Sequence, residues 1–115
     1  MEHKLFTELR TAKKKIIWIL EHSETSRDDD SKLYALYLTL ELGKGDKQRG
    51  LNILRGMTAF DFVVNIASHE FVNYASLIRC RRLIQADPQY KHLRGKKYDE
   101  RAEADNYFRN NINNL

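Results

Sequence analysis

A single proline, Pro88, interrupts 115 residues, and it stands directly after the most strongly patterned stretch of the chain, Asn73–Gln85. With so few chain breakers (five glycines accompany the one proline), most of the sequence is free to form helices. The stretch NYASLIRCRRLIQ has a helical repeat. Leu77, Cys80 and Ile84 step by three and four and mark a buried side, with Tyr74 and Leu83 flanking it. At about 100° per residue, Ala75, Arg79 and Arg82 fall opposite, and Ser76 and Arg81 lie at the margins. Asn73 is a good N-cap, and Ala86-Asp87-Pro88 closes the element.

The rest of the chain surrounds this helix with others. Residues 2–22 read as a first helix, with Leu5, Leu9, Ala12, Ile16 and Ile19 on one stripe and Phe6, Ile17 and Leu20 beside it. Lys13, Lys14 and Lys15 point in different directions and read as solvated. Trp18 reads as core or as a partner contact. The polar break SETSRDDD follows. One of Asp28, Asp29 and Asp30 is suited to cap the next helix and the others to its positive end. The spaced ligands and distal glutamate of a calcium loop are missing.

The second helix spans about 31–42. It carries Leu33, Leu36, Tyr37 and Leu40 on one stripe with Tyr34 and Leu38 beside it, so it is expected at the centre of the core. Gly43-Lys44-Gly45-Asp46 ends it. A short third helix over 47–56 rests on Leu51, Ile53 and Leu54, with Gly50 and Gly56 arguing against it. Thr58 and Asp61 suggest a capping box for a fourth helix, 59–67. Its Phe60, Val63, Val64 and Ile66 form a dense apolar set. Phe62-Val63-Val64 also suits a buried strand, but no partner strand is visible. A final helix is expected over about 98–111, held by Ala104, Tyr107, Phe108 and Ile112, with Tyr98, Ala102, Asp105 and Arg109 on another side. The expected fold class is therefore all-α: one compact domain, 1–115, of five or six helices. Within it, 59–86 has the form of a helix-turn-helix pair, although the turn Ser68–Val72 lacks glycine.

Charge and composition narrow the function classes. The hydrophobic fraction of 42% and charged fraction of 31% are those of a globular domain. The net charge is +4, a mild excess that permits nucleic-acid binding without requiring it. The bias is concentrated: from position 79 to 97, seven basic residues (Arg79, Arg81, Arg82, Lys91, Arg94, Lys96, Lys97) face one acid, Asp87. Outward arginines after a small-residue turn suit a helix in a major groove. There arginine pairs with guanine O6 and N7 or holds phosphate. The candidate nucleic-acid contacts are Ser76, Arg79, Arg81 and Arg82, with Lys91, Arg94, Lys96 and Lys97 on phosphates.

Other chemistry finds little support. His3, His22, His69 and His92 have no metal-ligand spacing, and no nucleophile elbow, phosphate loop or dinucleotide fingerprint occurs. No cofactor, metal or enzymatic activity is expected. Cys80 is the sole cysteine, which fits a reducing compartment and a small core residue. No run is long and apolar enough to span a membrane, and the N-terminal stretch does not read as a signal peptide. The expected location is the cytoplasm.

Two stretches resemble a known group. Thr25-Ser26-Arg27-Asp28-Asp29-Asp30, followed by the leucine-rich helix, looks like a T-R-x-(D/S)-D segment. Asn73–Arg82 resembles an S-I-x-R-x-R-R helix. Together they resemble small uncharacterised proteins encoded by phages and prophages. Here Ser26 separates Thr25 from Arg27, and the proline often found at the start of the second helix is absent. The resemblance implies an accessory phage protein with a helix-turn-helix-like core, in the host cell cytoplasm, and no known activity. The expected partner is duplex DNA. The alternative is a host or defence protein met by the same basic face, and a third reading is a homodimer through Trp18 and the first helix.

Overall fold

The computed structural model describes residues 11–98 and 100, and these form an all-helical domain. Helix α1 runs Ala12–His22, α2 Asp30–Leu42, α3 Lys47–Arg55, α4 Ala59–Ala67 and α5 Tyr74–Ala86. Two 3-10 segments, Glu24–Arg27 and Pro88–Leu93, join α1 to α2 and follow α5. No described residue is in a β-strand. The first half of the expected first helix and nearly all of the final helix lie outside the described residues. What is described corrects one boundary. α1 does not continue unbroken from residue 2, because Thr11 has extended backbone and its hydroxyl accepts Lys14 N–H as an N-cap.

Each helix starts where a short polar side chain can take up a free N–H. Asp29 caps α2, Asp46 caps α3 and Asn73 caps α5, each accepting from the residue three positions on. Thr58 and Asp61 form the reciprocal capping box at α4.

α2 is the central helix. Leu33, Tyr37, Leu38, Thr39 and Leu40 are all buried, and α1, α3 and α5 pack around it. The core joins Ile16, Ile19 and Leu20 of α1, Leu33, Tyr37 and Leu40 of α2, Leu77, Ile78 and Ile84 of α5, and Leu93 beyond it. Burying apolar side chains of this size contributes about 1.5–3 kcal/mol each before entropy is counted. Tyr37 is buried beside Glu41, which lies 2.5 Å from Lys15 Nζ. Burial, and then Glu41, push the Tyr37 phenol well above its usual range.

Gly50, a residue that argued against α3, is what allows α3 to form where it does. A Cβ at Gly50 would overlap the Thr39 carbonyl of α2. The missing side chain lets the two backbones cross closely, and Thr39 turns its hydroxyl back onto Ala35 O at 2.6 Å. The turn between α2 and α3 also departs from expectation. Lys44 and Gly45 take the left-handed φ, while Gly43 is needed because a Cβ there would strike Asp46 O.

α4 is the main surprise. Its Phe60, Val63, Val64 and Ile66 form a dense apolar set, yet every residue of α4 is at least partly exposed. Phe62 and Ile66 are half-buried, and the Phe62 ring meets Phe71 edge-on with centroids 5.4 Å apart. Phe71, in the connection to α5, is the residue that plugs the core here. α5 takes its main packing from α1 and α2.

Candidate nucleic-acid interface

The face that α5 buries is rotated by most of one residue from the expected one. Leu77, Ile78, Arg81, Ile84 and Gln85 point inward. Cys80, read as core, is only half-buried, and Leu83 is 63% exposed. Burial pushes the Cys80 thiol above its ordinary range, opposed by nearby Lys13.

The rotation removes Arg81 from the candidate interface. Its side chain is 0% exposed and forms an ion pair with Asp30 at the start of α2. A buried guanidinium cannot reach a phosphate. It stays inside because a carboxylate compensates for its lost hydration. Gln85, one turn on, donates its amide to Arg27 O at 2.9 Å and Leu93 O at 3.1 Å.

Arg94 is also committed within the molecule. Its Nε donates to Gln85 O at 2.5 Å, a second nitrogen reaches Ala86 O at 3.4 Å, and the group lies over the Tyr98 ring. It thereby serves the unsatisfied carbonyls at the C-terminal end of α5, where a cation is favoured.

The three aspartates divide their work. Asp29 caps α2, Asp30 holds Arg81, and Asp28 accepts Lys97 N–H at 3.1 Å. Gly95 is pressed so closely on Asp28 that a Cβ would overlap its carboxylate. The two stretches that carry the resemblance thus meet in space through Asp30 on one and Arg81 on the other, and just beyond the second stretch Gln85 donates to Arg27 O.

The remaining candidates are exposed: Ser76, Arg79 and Arg82 on α5, Lys91 in the following 3-10 segment, and Lys96 and Lys97 beyond it. Ala75, Ser76, Arg79, Arg82, Leu83 and Ala86 together form the outward side of α5. Its N-terminal end borders an acidic hollow where Tyr74 lines the same depression as Asp28, Asp29 and Asp30. That proximity was not legible in the sequence, since the two stretches lie far apart along the chain.

No described helix is long and apolar enough to cross a membrane, and no described group of three His, Cys, Asp or Glu residues is placed to hold a metal ion. Set against models of protein families, curated proteins and solved structures, the chain matches none of them.

Proposed function

We propose that the chain is a small DNA-binding accessory protein of phage type, acting in a regulatory role through the outward side of α5. The observation that carries this reading is the division of labour among three neighbouring arginines. Arg81 anchors the helix to α2, while Arg79 and Arg82 project from the opposite side into solvent. Ala75 and Ser76, one turn earlier, are small enough to let a duplex approach. Lys91 and Lys96 are exposed in the segment that follows α5, Lys97 lines the hollow at Tyr74, and all three would hold phosphates. The acidic hollow at Tyr74 restricts close phosphate contact to the remainder of the helix. Binding by this face is dominated by counterion release, so it weakens steeply with salt.

The test is fluorescence anisotropy with mixed-sequence duplex over a salt series. Binding at low salt is expected. Replacing Arg79 and Arg82 with alanine is expected to weaken it and to lower the salt slope by about two phosphate contacts. No binding at low salt, or an unchanged slope in the double variant, would overturn the reading.

Leu83 favours a second reading. It is 63% exposed in the middle of the arginine face. An apolar side chain beside two arginines also suits an acidic protein surface, as for a phage factor that modulates a host or defence protein. Capture of a host protein that survives nuclease treatment and is lost with Leu83→Asp would favour it.

A further inference from the structure

α4 is apolar on two opposite sides. At about 100° per residue, Phe62 and Ile66 turn toward the chain's own core, while Phe60, Val63, Val64 and Ala67 form a stripe on the other side. Phe60 is 74% exposed, Val63 61% and Val64 46%, and Ala67 is exposed as well. A helix lying on its own domain needs one apolar face. Single exposed apolar residues are ordinary, but a continuous stripe at i, i+3, i+4 and i+7 marks a contact surface.

We propose that this stripe is a self-association surface, occupied by the same stripe of a second copy of the chain, packed antiparallel about a two-fold axis. The stripe is complementary to itself. It is large at one end, at Phe60, and small at the other, at Ala67. With the axis between Val63 and Val64, Phe60 of each copy lies over Ala67 of the second copy, and the valines meet in the middle. Antiparallel pairing also sets the positive end of each helix beside the negative end of its mate. Asp61 sits about 100° away from Phe60 around the helix and stays in water.

The area sets the strength. Phe60 presents about 150 Å², and with the two valines and flanking alanines each copy presents on the order of 400 Å². Two copies together bury on the order of 800 Å². That is below the size of a standard stable interface and in the range of weak, reversible association. Association is therefore expected to be weak and reversible. This surface differs from the first helix, where Trp18 is half-buried and stacked on His22. The proposal does not depend on the DNA-binding reading.

The test uses the whole 115-residue chain in sedimentation velocity, from about 1 μM to about 200 μM. A concentration-dependent shift from monomer to dimer is expected. Phe60→Glu is expected to abolish it while leaving helix content and melting temperature unchanged. In a Cys80→Ser background, Val64→Cys is expected to form a disulfide-linked dimer under mild oxidation, and Arg55→Cys is not. A monomer at every concentration overturns the proposal, as does a dimer that survives Phe60→Glu. Loss of cooperative melting in Phe60→Glu overturns it too, since Phe60 would then be covered by its own chain.

Discussion

Arg81 of α5 and Asp30 of α2 form an ion pair in which the arginine is wholly enclosed and the aspartate keeps 31% of its side chain in contact with water. The pair fixes the rotation of α5 about its axis, and so decides which of its arginines face outward. Removing one partner leaves a buried charge without its counterpart. Arg81→Ala is expected to destabilise the fold by about 3 kcal/mol, at the low end for such pairs because Asp30 is partly solvated. Urea denaturation measures it. Combining Arg81→Met with Asp30→Ala is expected to cost less than the sum of the two single changes, which a double-mutant cycle would show.

Gly50→Ala makes a prediction opposite to helix propensity. Alanine is the better helix former by about 1 kcal/mol. At this position its Cβ meets the Thr39 carbonyl, a backbone atom that cannot move aside without shifting α2. A net loss of about 1–3 kcal/mol is expected. Gly56→Ala, with no close neighbour in its way, should be nearly neutral. Thermal melts of the two variants separate them.

The Tyr37 phenol has its pKa raised by burial and by Glu41. Between pH 10 and the folded-state value, the native chain holds a proton that the unfolded chain has lost. Stability is therefore full below about pH 10 and falls as pH rises further. Tyr37→Phe is expected to flatten this alkaline limb. Denaturation midpoints at several pH values from 8 upward check it.

Cys80 should behave as a slow thiol. Burial raises its pKa, so little thiolate exists at neutral pH. Alkylation of the native protein is expected to lag behind that of the urea-unfolded chain at pH 8, as timed mass spectrometry would show.

Arg94 and Arg79 offer a contrast within one charge type. Arg94→Ala removes a cation from the last carbonyls of α5 and is expected to cost about 1–2 kcal/mol of stability. Arg79→Ala, on the exposed side, should leave stability within about 0.5 kcal/mol and weaken DNA binding.

The helices of the described core were legible because capping residues and apolar spacing are local. An aspartate among 28–30, Thr58 and Asn73 announce their helices within four residues of sequence, while Asp46 reads only as part of the turn that ends α2. The orientation of α5 was not legible. Leu77, Cys80 and Ile84 define a plausible inner stripe, and hydrophobicity alone prefers Cys80 and Leu83 to Arg81 and Gln85. The preference is reversed by Asp30, Arg27 O and Leu93 O, which satisfy two large polar side chains from distant parts of the chain. The exposure of α4 was not legible either. Its apolar content predicts burial, but the sequence does not say whether its own domain provides the cover. Of the candidate contacts, Arg79 and Arg82 face outward because they lie about 160° and about 100° around the helix from the buried Arg81.

Gln85 clasps Arg27 across 58 positions of chain, and Asp28 holds Lys97 across 69. A nascent polypeptide therefore cannot fasten the junction between α1 and α2 while these helices leave the ribosome. They must wait, with Asp30 lacking its counter-ion, until the tail end of the domain has been synthesised. Assembly of this domain is a late event in its own translation, and a truncated product ending before α5 would lack both the partner of Asp30 and a share of the core.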